Sequence, residues 1–538
     1  MPTQNSDIAT SKLNNIKKHY SDKYIQKLVN DFYQFICDLY ISYRLNKPKT
    51  KNTSVGNVEE TDEEDEEDEE EKTIISEDFI SHFMYQFFKL KGIRRKIVGK
   101  NMFLLSYDKD HINYDPDDNV TKLCRHLILD TSCLRIVSLG IPRRNNINNL
   151  DTSQLVNFNV EIQYDGSMVI YNPDLENNSR IYKEMEYTND NDEIIKNPID
   201  VIFSTRNKVG TSNFNSEDTF KIICLRNFEN LQFDLNKMEN EFKSLTYVFN
   251  VMDQTEHISN DNVNLLVGCY QFKSEEQCST ACQKINSITN INPQSQKLLK
   301  VMFQDLQCNM VSSLDLSSIA SFYPEMKLPK KLDNDKTNIN QSTELLKDLP
   351  YTYKGITIWD QEGARYKLSN SNFEKIRDLR GNLPINLSEC NNKSLFTVYL
   401  RLKSEDNIEL FLSYFDKDKS YKGKFVQFKK DIQQFTDLVH QWYLDTYVLK
   451  NKVKDDIPNY IYPLCFELHG IYMKNQTPIQ KKDVLNYLYS IDTMSLYGRI
   501  YTPLPDNKNQ KESKGTQEGK ESQEGQEEQE GQKGQESS

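Results

Sequence analysis

The chain has 538 residues, too many for one hydrophobic core, so two or three folded units are expected. Its 67 basic and 80 acidic residues give a formal net charge of −13, but twelve of the thirteen positions from Glu59 to Glu71 are acidic. Without that run and the tail after Pro505 the remainder is near-neutral to slightly basic, which suits nucleotide or RNA and lacks the strong basic footprint of a general duplex binder. No apolar run approaches the roughly 18 residues of a membrane span, residues 1–20 lack the apolar core of a secretory signal, and ten scattered Cys fit a reducing compartment; an intracellular, non-membrane protein is expected.

Residues 22–44 read as an amphipathic helix, with Ile25, Leu28, Phe32, Ile36 and Leu39 at helical spacing. Residues 46–75 form an acidic linker whose self-repulsion favours extension; folded back over a basic groove, it would compete with nucleic acid. Ser76, followed by Glu77 and Asp78, reads as a helix start, with Phe79, Phe83, Phe87 and Phe88 supplying the buried face. From 99 to 370 short apolar or alternating runs predict a mainly antiparallel sheet system, and the polar segments 182–198 and 331–345 read as loops or insertions. Helices return between 374 and 500, clearest from Phe425 to Tyr447, and the tail from 504 has a disordered composition.

The informative segment is Glu161-Ile162-Gln163-Tyr164-Asp165-Gly166-Ser167-Met168. By itself Asp165-Gly166-Ser167 between two apolar runs reads as a hairpin turn, because Asp and Gly tolerate positive φ. Other segments accompany it in a fixed order. Arg125 precedes Leu127-Ile128-Leu129, Arg206 follows Phe203-Ser204-Thr205, and Phe249-Asn250 ends an apolar run. Lys354-Gly355-Ile356-Thr357-Ile358 comes next, with Lys367 thirteen residues after Lys354 and Ser369 two further on.

Over about residues 100–380 this order resembles the bacteriophage-type RNA ligases, within the covalent nucleotidyltransferase superfamily of ligases and mRNA capping enzymes. The resemblance implies an α+β fold: a nucleotidyltransferase domain, ATP-grasp-like, with antiparallel sheets and flanking helices over 76–375. An N-terminal helical segment over 1–45 and an α-rich C-terminal domain over 376–503 flank it. The Leu379-Arg380-Gly381-Asn382 segment after Lys367 is similar to uncharacterised ligase-like proteins of large DNA viruses. That likeness, with a Lys-rich, Asn-rich composition typical of AT-rich coding, points to a viral protein of the cytoplasm, viral factory or virion.

In that family a lysine in the pattern Lys-x-Asp-Gly attacks the α-phosphate of a nucleotide, and acids in later motifs place a metal. Here the lysine position holds Gln163, whose amide nitrogen is no nucleophile, and no Lys lies between Lys122 and Lys183. Asn250 and Lys354 stand where acids are expected, and Ser369 replaces one lysine of the last motif. An ammonium about 4 Å from a metal is repelled by roughly 4 kcal/mol per unit of metal charge at an effective dielectric near 20, so Lys354 disfavours Mg²⁺. The expectation is a ligase-like protein without covalent nucleotidyl transfer that binds nucleotide, ATP or GTP, or RNA ends. Arg125, Asp165, Gly166, Arg206 and Lys367 would do so, with Phe249 stacking on a base. The bland readings are a surface strand arginine for Arg125 and a core aromatic for Phe249.

Two alternatives stay open: an enzyme with a non-standard nucleophile, and a structural or interaction protein that meets protein partners through its acidic segments. Cys278 and Cys282 lie one helical turn apart without a completing ligand set and read as buried thiols; His257 reads as a loop residue. The run Lys89–Lys96 is the densest basic patch, either an RNA contact or a solvated helix end.

Overall fold

The computed structural model describes residues 16–46, 79, 84–145, 158–176, 178, 181–182, 184–188, 194–198, 202–210, 219–235, 238, 244–254, 257–258, 261–332, 344, 346–381, 383, 391–416 and 419–501. The acidic run, the Ser76 helix start with Phe83, and the tail lie outside them. The chain divides into two compact units, Met1–Cys390 and Asn391–Ser538, so the division falls after 390 rather than after 375.

The first unit mixes helices with antiparallel sheets. Helix α1 (Asp22–Asn46) buries Ile25, Leu28, Phe32, Ile36 and Leu39 on one face. It is not a separate segment: these side chains share one core with the sheet that follows and with two later helices, and the Asp22 carboxylate accepts from the Ser313 amide at 2.8 Å. After the short α2 (Tyr85–Leu90), strands β1 (Ile93–Gly99), β2 (Met102–Tyr107), β3 (Leu127–Asp130) and β4 (Arg135–Leu139) form a four-stranded meander, with α3 (Asn119–Leu123) between β2 and β3.

Strands β5 (Asn159–Tyr164) and β6 (Ser167–Tyr171) follow, then β7 (Glu184–Thr188), β8 (Ile194–Pro198), β9 (Phe203–Thr205) and β10 (Lys208–Val209). The segment 182–198, expected to be loop, carries the β7–β8 hairpin: a paired ladder satisfies the backbone of a polar stretch as well as that of an apolar one. Helix α4 (Phe220–Asn230) precedes the long pair β11 (Leu245–Met252) and β12 (Val263–Phe272).

Between 275 and 322 the expected strands give way to helices α5 (Glu275–Asn286), α6 (Pro293–Gln307) and α7 (Leu316–Phe322), with β13 (Val311–Ser313) between the last two. Their starts carry local signals. Ser274 and Gln277 form a capping box, and Asn292 caps a helix with Pro293 at its first position. Cys278 and Cys282 lie on the buried face of α5, the latter donating to the Cys133 carbonyl at 3.1 Å. Strands β14 (Lys331–Leu332), β15 (Tyr353–Trp359) and β16 (Arg365–Ser369) and helix α8 (Ser371–Arg380) complete the described elements of this unit.

Besides the meander, the described residues form a six-stranded sheet ordered β10-β9-β6-β11-β12-β13 and a four-stranded one ordered β14-β5-β15-β16. Consecutive strands β5 and β6 therefore sit in different sheets. Asp165-Gly166 is not a hairpin turn but the crossing between two sheets, and it draws their faces together.

The second unit is helical: α9 (Asn392–Ser404), α10 (Ile408–Phe415), α11 (Ser420–Tyr443), α12 (Tyr462–Asn475), α13 (Lys481–Ser490) and α14 (Thr493–Tyr501). Helix α11 runs on through a wider turn, Leu444–Val448, and buries Phe425, Phe428, Ile432, Phe435 and Val439 on the expected stripe. Phe396 meets Phe428 edge-on at 5.3 Å and Tyr501 at 5.9 Å, tying α9, α11 and α14 together. No helix among the described residues is long and apolar enough to cross a membrane.

Candidate nucleotide or phosphate site

A cavity of about 240 Å³ opens between the two sheets joined at Asp165-Gly166. Strands β5, β15 and β16 supply Glu161, Gln163, Lys354, Thr357, Arg365 and Lys367; β11 supplies Asn250 from the opposite side, and Arg125 and Arg144 come from loops flanking β3 and β4. Register explains the first group. Glu161 pairs with Thr357 and Thr357 with Lys367, so the three lie in one row across the sheet. Alternation along β16 then puts Arg365 on the face of Lys367, a residue the sequence reading passed over although period two marks it. Arg144 had no comparable local signal.

The cavity is strongly cationic. The Arg365 guanidinium stacks over its cross-strand neighbour Trp359 at 5.5 Å and donates to the Pro142 carbonyl. Arg125 and Arg144 are half-buried, yet their Nε atoms are fully enclosed and find no hydrogen-bond partner among the described residues. The same holds for the Oε1 of Gln163, which is 8% exposed. No carboxylate among the described residues forms an ion pair with Arg125, Arg144 or Arg365.

Electrostatics register the crowding. Burial, then the charges of Arg365 and Arg125, pushes the Arg144 guanidinium well below the usual arginine range. Burial and the Arg125 charge bring Arg365 down to about 9, against Tyr270 and Glu161. Because a guanidinium stays protonated in proteins, these shifts measure how poorly its charge is compensated, not a loss of charge. Burial also lowers Lys367, helped by Lys354 and Arg144 and opposed by Glu374, whose carboxylate lies 3.4 Å away.

The acids near the cavity are committed elsewhere. Glu161 accepts from the Tyr20 hydroxyl at 2.7 Å and from the Trp359 indole at 3.0 Å. Asp165 pairs with Lys354 at 2.9 Å and accepts from the Ile258 amide at 3.1 Å. Burial raises the Asp165 carboxyl, but Lys354, His257 and the Ile258 amide together hold it below its usual range. His257, expected in a loop, is 8% exposed and bonded to Ser167 at 3.0 Å.

Three further residues singled out in the sequence have other surroundings. Phe249 is fully buried: its ring meets Phe228 edge-on at 5.1 Å and stacks with Tyr247 at 6.5 Å, inside the core behind the sheet. Phe249 and Asn250 both border the cavity, but the Phe249 ring is fully buried among core aromatics and its faces are covered, which leaves no open face for a base. Arg206 lies outside the cavity wall, with its Nε on the Asn207 side chain at 3.2 Å and its guanidinium 5.8 Å over Tyr107. Ser369 is exposed beyond the end of the row. Gly166 lines the cavity, and a Cβ there would come within 2.7 Å of the Asn250 side chain. The basic run near 89–96 is largely spent on protein: Lys91 on Asp118 at 2.9 Å, Arg94 on Asp108 at 2.6 Å, Arg95 over Tyr85 at 4.3 Å.

No family model matches the chain, and no curated protein matches it. In shape it is similar to two solved forms of an archaeal ATP-dependent RNA ligase. Both share 10% identity, cover 65% of this chain and 79% of theirs, and give TM-scores of 0.27 and 0.29. At that level the site has to be read from its own residues.

Proposed function

We propose that the chain binds a phosphate-bearing ligand, a nucleotide or an RNA end, non-covalently in the cavity between the two sheets. One observation carries this reading: Arg125, Arg144 and Arg365 converge on one cavity, and no carboxylate among the described residues pairs with them. An uncompensated buried charge costs about 3–5 kcal/mol, and a phosphate anion returns that cost as bidentate charge-assisted hydrogen bonds. Supporting it, Arg125, Gln163, Gly166, Asn250, Lys354 and Lys367, drawn from motifs spread over some 240 residues, all border this one space. That convergence is what a nucleotidyltransferase-like architecture requires, with Gln163 in place of the attacking amine.

Titration calorimetry of the full chain with ATP, GTP and a 5′-phosphorylated oligoribonucleotide tests the reading. Binding of at least one, weakened about tenfold or more in Arg144→Gln, is the expected result. No binding by any of them would leave the fold as a scaffold for protein contacts.

A second reading, an active nucleotidyltransferase, also has an observation behind it. The amines of Lys354 and Lys367 reach the cavity beside Gln163, whose cross-strand partner is Gly355. Lys354 pairs with Asp165 at 2.9 Å and Lys367 lies 3.4 Å from Glu374, so each amine is engaged by a carboxylate. Intact mass after incubation with ATP or GTP decides between the readings: an added nucleoside monophosphate on either lysine would establish the enzyme, and an unchanged mass is expected.

A further inference from the structure

The donor set around the cavity bears on the form in which a polyphosphate would enter. Divalent cations at nucleotide sites are held by carboxylates and phosphate oxygens together, and Mg²⁺ demands hard, anionic oxygen ligands. Of the side chains bordering this cavity, Glu161 is the carboxylate, and its two oxygens already accept from Tyr20 and Trp359. Asp165 is turned to Lys354 and the Ile258 amide, and Asn250 offers a neutral amide. Against these stand Arg125, Arg144, Arg365, Lys354 and Lys367. A divalent cation does not fit this set: it would sit among five positive side chains with no uncommitted carboxylate.

We infer that the cavity takes the phosphate chain of its ligand as the free polyanion, without a divalent cation, and that Mg²⁺ antagonises binding by sequestering the ligand. This rests on the reading of the cavity as a phosphate site and deepens it by naming the ionic form. The physical reason is substitution. Free ATP carries two more negative charges than its Mg²⁺ complex, and the fixed cations here do the neutralising that a bound metal does elsewhere. The metal complex presents fewer charges to the arginines and brings an ion that Lys354 repels.

The test is a calorimetric titration of the full chain with ATP in EDTA and in excess MgCl₂, at ionic strength matched with KCl. Inorganic tripolyphosphate serves as a base-free probe. The expected result is binding in EDTA and an apparent affinity lowered about tenfold or more by Mg²⁺, following the fraction of ligand left uncomplexed. Equal or tighter binding with Mg²⁺ would overturn the inference while leaving the phosphate site in place. Absence of binding by both ligands in both buffers would overturn the phosphate site itself.

Discussion

Nζ of Lys354 lies 2.9 Å from Oδ1 of Asp165, and this pair closes the crossing between the two sheets that wall the cavity. Both side chains are largely buried, 24% and 11% exposed, so neither charge is left to solvent. Lys354→Met would strand a buried carboxylate and is expected to cost about 3 kcal/mol near neutral pH. The pH dependence gives the sign. In the wild type the carboxyl sits below its ordinary value of 3.8, so its stabilisation is present above that value and lost as pH falls through the folded one. Without Lys354, burial dominates and raises the carboxyl, so the variant's deficit is expected to shrink on acidification. Urea midpoints of both proteins across the acid range check this; parallel curves would refute the pairing.

Arg144 separates binding from stability. Its charge is disfavoured by burial and by Arg365 and Arg125, so Arg144→Gln is expected to leave the ligand-free protein as stable as wild type or stabilised by about 1 kcal/mol. The thermal protection that the wild type gains from added polyphosphate is expected to fall sharply in the variant. Paired melting curves with and without tripolyphosphate give both quantities.

Two buried histidines predict acid sensitivity well above the carboxylate range. Burial lowers both His19 and His126 from 6.5 to about 4. His126 is 0% exposed, with Nδ1 bonded to the Thr205 carbonyl at 2.8 Å. The unfolded chain binds these protons first, so stability is lost as pH falls from the ordinary value towards the folded one. The loss is about 2 kcal/mol per histidine between about pH 7 and about pH 5. Denaturation at the two pH values measures the sum, and His126→Gln is expected to remove its share of the slope.

Gly355 is required by backbone geometry. Its φ is +147°, and a Cβ would stand 2.0 Å from the Leu368 carbonyl in the paired strand. Gly355→Ala is expected to cost at least about 3 kcal/mol by breaking the β15–β16 register that aligns Lys367. A soluble variant with wild-type stability would show that the strand tolerates a side chain there.

The sequence by itself determined much of the element order and part of the site. The stripes of α1 and α11 and the apolar runs of β3, β5, β6 and β15 were legible because periodicity is a local property, whereas Arg125, Gln163, Asn250, Lys354 and Lys367 were singled out only through the resemblance to RNA ligases. Helices α5 to α7 were not read although capping residues and the Leu299, Phe303 and Leu306 spacing mark them, because the 99–370 stretch as a whole reads as strands; the β7–β8 hairpin was not read because its sequence is polar and only ladder pairing orders it. Only the tertiary structure decided which face each residue shows. It buried the Phe249 ring behind β11, turned Asp165 onto Lys354, spent Glu161 on Tyr20 and Trp359, and brought Arg144 and Arg365 together without a carboxylate. Such outcomes depend on strand register, a bulge at Tyr353/Gly355 and contacts between residues far apart in the chain, where a shift of one position exchanges the buried face for the open one.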